Sequence, residues 1–176
     1  SAQRTVGHVA ARRRPPLRLV ERPLASLPAP LQDAAAAPSG SGALVAGGLD
    51  ASDLSVDPVR FVSAGRDVQR TSLPSARHDA AAATIGARTY VFGGGDGTRQ
   101  LDEIVAVSGG GGARVVARLP QPASDVAAAT IGHTAYVVGG YTGSAWLNTI
   151  LAWRPGETPR VAGRLPSPLR YAAVTA

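Results

Sequence analysis

Cysteine, methionine and lysine are all missing from this 176-residue chain. Without cysteine there is no disulfide framework, no thiolate metal site and no cysteine nucleophile. The 18 basic residues are all arginine, which fits the codon bias of a GC-rich genome better than a demand for guanidinium chemistry. Aromatics make up only 5% of the residues. No apolar run approaches the ~18 residues of a membrane span. There is no leading methionine and no signal-like apolar segment, so the chain reads as a processed or trimmed product. What is plentiful is glycine, 21 residues, and proline, 14. That balance suits short strands joined by many turns and argues against long helices.

The net charge of +6 is unevenly spread. Residues 1–26 carry six arginines against Glu21, a net +5, which leaves +1 for the remainder. A basic arm of this kind can attract nucleic acid or an anionic surface. Arg12, Arg13 and Arg14, however, adjoin Pro15 and Pro16 with no aromatic between them to stack a base. The expectation is a solvated basic turn, and nucleic acid is not expected as a partner.

The chain repeats itself. Leu-Pro occurs at Leu27, Leu73, Leu119 and Leu165, and Gly-Gly begins at Gly47, Gly93 and Gly139, each at a spacing of 46 without insertion or deletion. A period in this range marks an array, a solenoid or a propeller. Each unit contains four strand signals. Strand A is an Ala-rich run, Asp33 to Ala37, Asp79 to Ile85 and Asp125 to Ile131; its small residues suit a position where space is shortest. Strand B is Ala43 to Ala46, Thr89 to Phe92 and Ala135 to Val138, each leading to the glycine pair. Strand C is Val59 to Val62, Ile104 to Val107 and Ile150 to Trp153, and strand D is Asp67 to Arg70, Arg114 to Ala117 and Arg160 to Gly163. Four short antiparallel strands per unit read as the blades of a β-propeller. Repeats are expected at 27–72, 73–118 and 119–164, with 165–176 as the first strand of a further unit. Residues 1–26, with strands at Thr5 to Ala10 and Leu17 to Glu21, are expected to end an incomplete unit. Three complete blades do not close a ring. Completion by a longer polypeptide of roughly six to eight blades, or by a second copy, is expected ahead of a self-contained four-bladed ring.

Leu-Pro, a small-residue strand, Tyr90-Val-Phe-Gly-Gly or Tyr136-Val-Val-Gly-Gly, a loop, a strand and a return to Leu-Pro resemble kelch repeats across residues 27–176. The usual tryptophan of strand D is absent from every copy, and Leu44, Val45 and Ala46 replace the Tyr-led run in the first. The Ala-rich, Asp-initiated version is most similar to kelch proteins exported by bacteria, which implies an extracytoplasmic location. The resemblance also implies a ligand-binding face formed by the loops leading into strand A and those joining B to C. Carried onto this sequence, the first group supplies Arg77, His78, Ser124 and Arg170, and the second supplies Asp96, Arg99, Tyr141 and Trp146. The implied function is non-catalytic binding of a protein, peptide or glycan. The alternatives are a sugar-epimerase-like kelch enzyme and a self-assembling half-propeller with a structural role. A copper radical oxidase is not expected, since its thioether-linked tyrosine needs a cysteine.

No catalytic residue, metal site or cofactor follows from the residues themselves. Asp33, Asp79 and Asp125 recur in register, with Tyr171 in the fourth copy; they are expected to cap turn N–H groups. A ring of carboxylates holding a cation is the sharper alternative. Asp50 with Asp53, and Asp96 with Asp102 and Glu103, lack the spacing of a calcium loop. His78 beside Asp79 suggests a base with its orienting acid, but neighbours in a strand point to opposite faces, and no motif places a serine beside them. His8, His78 and His133 fall at different repeat positions and do not converge. Gly93 to Gly97 and Gly109 to Gly112 match neither phosphate-binding glycine motif and are expected to be turns.

Overall fold

The computed structural model describes residue 18 and residues 20–176. The expected strand at Thr5 to Ala10, with the basic cluster, lies outside the described residues. Of the expected strand at Leu17 to Glu21, the residues Arg18, Val20 and Glu21 are described; all are exposed and none is in a strand.

Among the described residues, twelve strands form three four-stranded antiparallel sheets, each a simple meander. The first contains β1 (Ala35–Ser39), β2 (Gly42–Ala46), β3 (Pro58–Ser63) and β4 (Arg66–Ser72). The second contains β5 (Ala81–Ile85), β6 (Arg88–Phe92), β7 (Glu103–Val107) and β8 (Ala113–Arg118). The third contains β9 (Ala127–Ile131), β10 (Thr134–Val138), β11 (Thr149–Trp153) and β12 (Arg160–Arg164). The sheets stand side by side like blades, with β1, β5 and β9 adjacent along the inner edge. Alanine there lets three backbones approach closely, as the small-residue pattern predicts. The outermost strands β4, β8 and β12 are largely exposed and rich in arginine, which discourages edge-to-edge pairing.

The core lies between sheets. One apolar cluster joins the first sheet to the second through Ala35, Leu44, Val59 and Leu73 on one side and Ala82, Val91 and Val105 on the other. The next joins the second sheet to the third and is built around Trp153, whose ring meets Tyr90 edge-on at 4.8 Å and Phe92 at 5.7 Å. In β5 and β6 small residues stand opposite large ones, Ala81 opposite Phe92 and Ala83 opposite Tyr90.

The glycine pair is the joint. Gly48 N–H donates to the Arg77 carbonyl at 2.8 Å, Gly94 to Ala123 at 2.9 Å and Gly140 to Leu169 at 2.9 Å, each tying strand B of one unit to the approach of the next. The preceding glycine sits in the left-handed region, and a Cβ on Gly93 would lie 2.2 Å from the Ala123 carbonyl oxygen. No side chain fits there.

The structure corrects the sequence reading in three places. Asp33, Asp79 and Asp125 do not open strands: each is left-handed, with φ of 54°, 52° and 56°, and the strand begins two residues later. The uniform spacing also hides a compensated change. Val56 N–H bonds the Gly48 carbonyl, whereas Leu101 bonds Gly94 and Leu147 bonds Gly140, so the first B–C loop is one residue longer. Its C–D hairpin is correspondingly short, with Ser63 paired directly to Arg66, while Val107 pairs with Ala113. Residues 171–176, expected as an opening strand, are in no strand. β5 and β9, at the equivalent positions, each pair with the strand that follows them.

The two flanks of the array differ. On the side of the first sheet facing away from the second, Arg60 replaces Val105 and Leu151 of the other sheets and pairs with Asp67. The corresponding far flank of the third sheet is apolar, with Ala127, Ala129, Tyr136 and Ile150 half-buried.

Candidate functional site

Each B–C loop folds over the approach to a strand A. Isolated bridges link Gln32 to Leu49, His78 to Gly95 and Ser124 to Tyr141, and a second set links Leu49 to Ser55, Gly95 to Gln100 and Tyr141 to Trp146. The loops are pinned by their own short polar side chains. Asp96 Oδ1 accepts the N–H groups of Thr98 and Arg99, both at 2.9 Å, and the Thr98 hydroxyl at 2.7 Å. The Thr98 bonds hold the Asp96 carboxyl well below the usual carboxylate range.

The eight sequence-derived residues separate into groups. Arg77 and Ser124 are buried and offer no surface to a ligand. Arg77 is a frame residue: its guanidinium donates to the Gly93 carbonyl at 3.1 Å, Ser75 Oγ at 2.8 Å and Glu103 Oε2 at 2.6 Å. Long polar side chains are seldom buried, and nothing in its sequence context announces this one. Asp96 is committed to its own turn, with the exposed Arg99 beside it at 3.3 Å.

His78 shares a hydrogen bond with Ser55 across the first joint, at 2.8 Å from Nδ1, and its Nε2 lies 3.7 Å from Asp79 Oδ2. The left-handed turn at Asp79 brings the two neighbours together, whereas an extended strand would have separated them. Serine, histidine and aspartate thus fall in a row, but the last gap exceeds hydrogen-bond reach, and an acid at that distance does not orient the ring.

Tyr141, Trp146 and Arg170 do converge. The Arg170 guanidinium lies 4.5 Å from the Tyr141 ring centroid, 6.0 Å from Trp146 and 5.1 Å from Tyr171. It also donates to Asp125 Oδ2 at 2.5 Å. Trp146 and Tyr171 are 58% and 63% exposed, so an aromatic surface surrounds a positive charge that is already anchored. The sequence reading missed Tyr171 and Asp125 as members. Their signal was the register in which Tyr171 takes the place of Asp33, Asp79 and Asp125.

That register forms a second feature. The Asp79 N–H donates to the Asp33 carbonyl, Asp125 to Asp79 and Tyr171 to Asp125, at 2.9, 2.8 and 3.1 Å. The main chain of these residues, not the carboxylate, ties the turns together. Their side chains line a cup of about 270 Å³ at one end of the inner strands. A larger groove of about 600 Å³ runs along the inner strands past Ala36, Ala82 and Ala128. Desolvation, followed by the negative charges of Asp125 and Asp33, pushes the Asp79 carboxyl up to about 7. Among the described residues no three histidine or acidic side chains are placed to hold a metal ion, and no helix is long and apolar enough to cross a membrane.

The chain is similar in fold to YjhT. The solved structure titled "Structure of YjhT" matches with a TM-score of 0.68 at 15% sequence identity, over 82% of this chain. The match covers 54% of YjhT, so this chain spans about half the length of that protein. At that identity YjhT speaks to the fold alone. No family model and no curated protein matches the sequence.

Proposed function

We propose that this chain is part of a kelch-type β-propeller whose loop face binds a protein, peptide or glycan without catalysing a reaction. The observation that carries the reading is the exposed cluster of Tyr141, Trp146 and Arg170. Tryptophan, tyrosine and arginine are the residue types on which recognition energy concentrates. Arg170 is held in place by Asp125, so little ordering is required when a ligand arrives. The kelch assignment is supported by the double glycine, which serves here as the joint between units, and by the fold shared with YjhT. Export from a bacterial cell rests on the same kelch resemblance.

Trp146 is exposed and Trp153 is 1% exposed, so a ligand that alters tryptophan emission reports on Trp146. A glycan and peptide array followed by fluorescence titration is expected to give a binder whose affinity falls at least tenfold in Trp146→Ala, with the melting temperature unchanged. A binder that keeps its affinity in this variant would overturn the placement of the site.

The apolar flank of the third sheet favours an additional partner. Further blades of a longer polypeptide, or a second copy, would cover Tyr136 and Ile150 as sheet three covers Tyr90 and Ile104.

A further inference from the structure

An arginine plugs the interface between the first and second sheets, and nothing equivalent plugs the next one. Arg77 is fully buried there, and its guanidinium reaches the Gly93 carbonyl, Ser75 and Glu103. One repeat later these four positions are Ala123, Gly139, Gln121 and Thr149. All four line a cavity of about 240 Å³ between the second and third sheets. Its other walls are apolar, Leu119, Val137 and Leu151 among them, and it reaches the surface at the exposed Pro120, Gln121 and Val161. The cavity is the socket that Arg77 fills in the first interface, left open by a side chain that stops at Cβ. The Gly93 carbonyl accepts from Arg77, whereas among the described residues no main-chain N–H donates to the buried Gly139 carbonyl. A shielded carbonyl without a donor is costly.

We propose that this socket binds a small uncharged molecule with an unbranched apolar body and a terminal carboxamide. Arg77 supplies the shape: an aliphatic stem that ends in a planar head, with an N–H on the glycine carbonyl at 3.1 Å. Its charge does not carry over. Thr149 stands where Glu103 neutralises Arg77, so a guanidinium or ammonium would be buried without a counter-ion. A carboxylate would set its own oxygens against the Gly139 carbonyl, with no donor between them. A wholly apolar guest would leave that carbonyl unpaired. A carboxamide is planar and uncharged; its N–H groups suit the carbonyl, and its oxygen suits the Thr149 hydroxyl and the Gln121 amide. None of Tyr141, Trp146 and Arg170 lines the cavity, so the site is separate from the aromatic surface.

The test is isothermal titration of the 176-residue chain with hexanamide, pentylguanidinium and hexanoate. The expected result is saturable one-to-one binding of hexanamide, at least tenfold tighter than that of either charged probe. Ala123→Leu fills the socket from within and is expected to abolish the binding without lowering the melting temperature. Thr149→Glu restores the acid of the first interface. That variant is expected to reverse the preference and bind pentylguanidinium at least tenfold more tightly than hexanamide, a gain that misfolding cannot imitate. The absence of saturable hexanamide binding by the parent chain would overturn the proposal and leave the cavity as a packing gap. So would binding that survives in Ala123→Leu, or a Thr149→Glu chain that still prefers the amide.

Discussion

At the scale of single residues, the acids of this chain divide by environment. Asp79 is partly desolvated beside Asp125 and Asp33, so its folded carboxyl titrates at about 7, against about 3.9 in an unfolded chain. Between those values the folded state holds a proton that the unfolded state has released. The contribution of Asp79 to stability is therefore fully present at acid pH and is lost as pH rises through about 7. Thermal unfolding followed by circular dichroism is expected to give a lower melting temperature at pH 8 than at pH 5.5, and Asp79→Asn should remove most of the difference. A melting temperature that rises across this interval in the parent would contradict the placement of Asp79. Asp96 has the opposite sign. Its hydrogen bonds depress the folded carboxyl, so its contribution is present above the ordinary carboxylate value and is lost as pH falls below it. The sequence showed Asp33, Asp79 and Asp125 as a repeated set but not where their side chains lead. A turn into left-handed backbone reverses the direction a strand would give, and no neighbouring residue type announces it.

At the scale of elements, the strands were legible because alanine runs, β-branched runs and glycine pairs alternate at a fixed distance. The compensated shift in the first repeat was not, since it is bracketed by Leu-Pro and Gly-Gly at unchanged spacing. Buried Arg77 was also illegible: a long cation beside a turn usually marks a surface, and here its partners come from Gly93 and Glu103. The glycines permit a direct comparison. Gly86 and Gly93 share the same left-handed φ of 60°, but a Cβ on Gly86 meets nothing within 4 Å, whereas one on Gly93 meets a carbonyl oxygen at 2.2 Å. Gly86→Ala is expected to cost about 1 kcal/mol, the price of the backbone conformation alone. Gly93→Ala adds the loss of close approach at the joint and is expected to cost about 3 kcal/mol or more. Urea unfolding of the two variants measures the difference, and equal costs would remove the steric argument for the joint.

At the scale of the whole molecule, the open flanks decide what the chain meets. Tyr90 and Ala83 of the second sheet are buried by the third; their counterparts Tyr136 and Ala129 on the last sheet are only half-buried. Covering such a face is worth roughly 25 cal/mol per Å². The first flank is less receptive, because drying the Arg60–Asp67 pair incurs a desolvation penalty. Association of this chain alone is therefore expected through the third sheet. Light scattering should give a mass above that of a monomer, and Ile150→Arg should return it to the monomer. A monomeric parent chain with full ellipticity would sink this expectation.

The traded residue in the first repeat bears on how such a chain can be remade. One residue moved from hairpin to loop, and the distance between successive glycine pairs stayed at 46. The architecture fixes the interval between joints and leaves the division of that interval free. A B–C loop can then be lengthened as a cassette, provided the C–D hairpin opposite gives up what the loop takes. Such a trade changes the loops and leaves the glycine joints where they were.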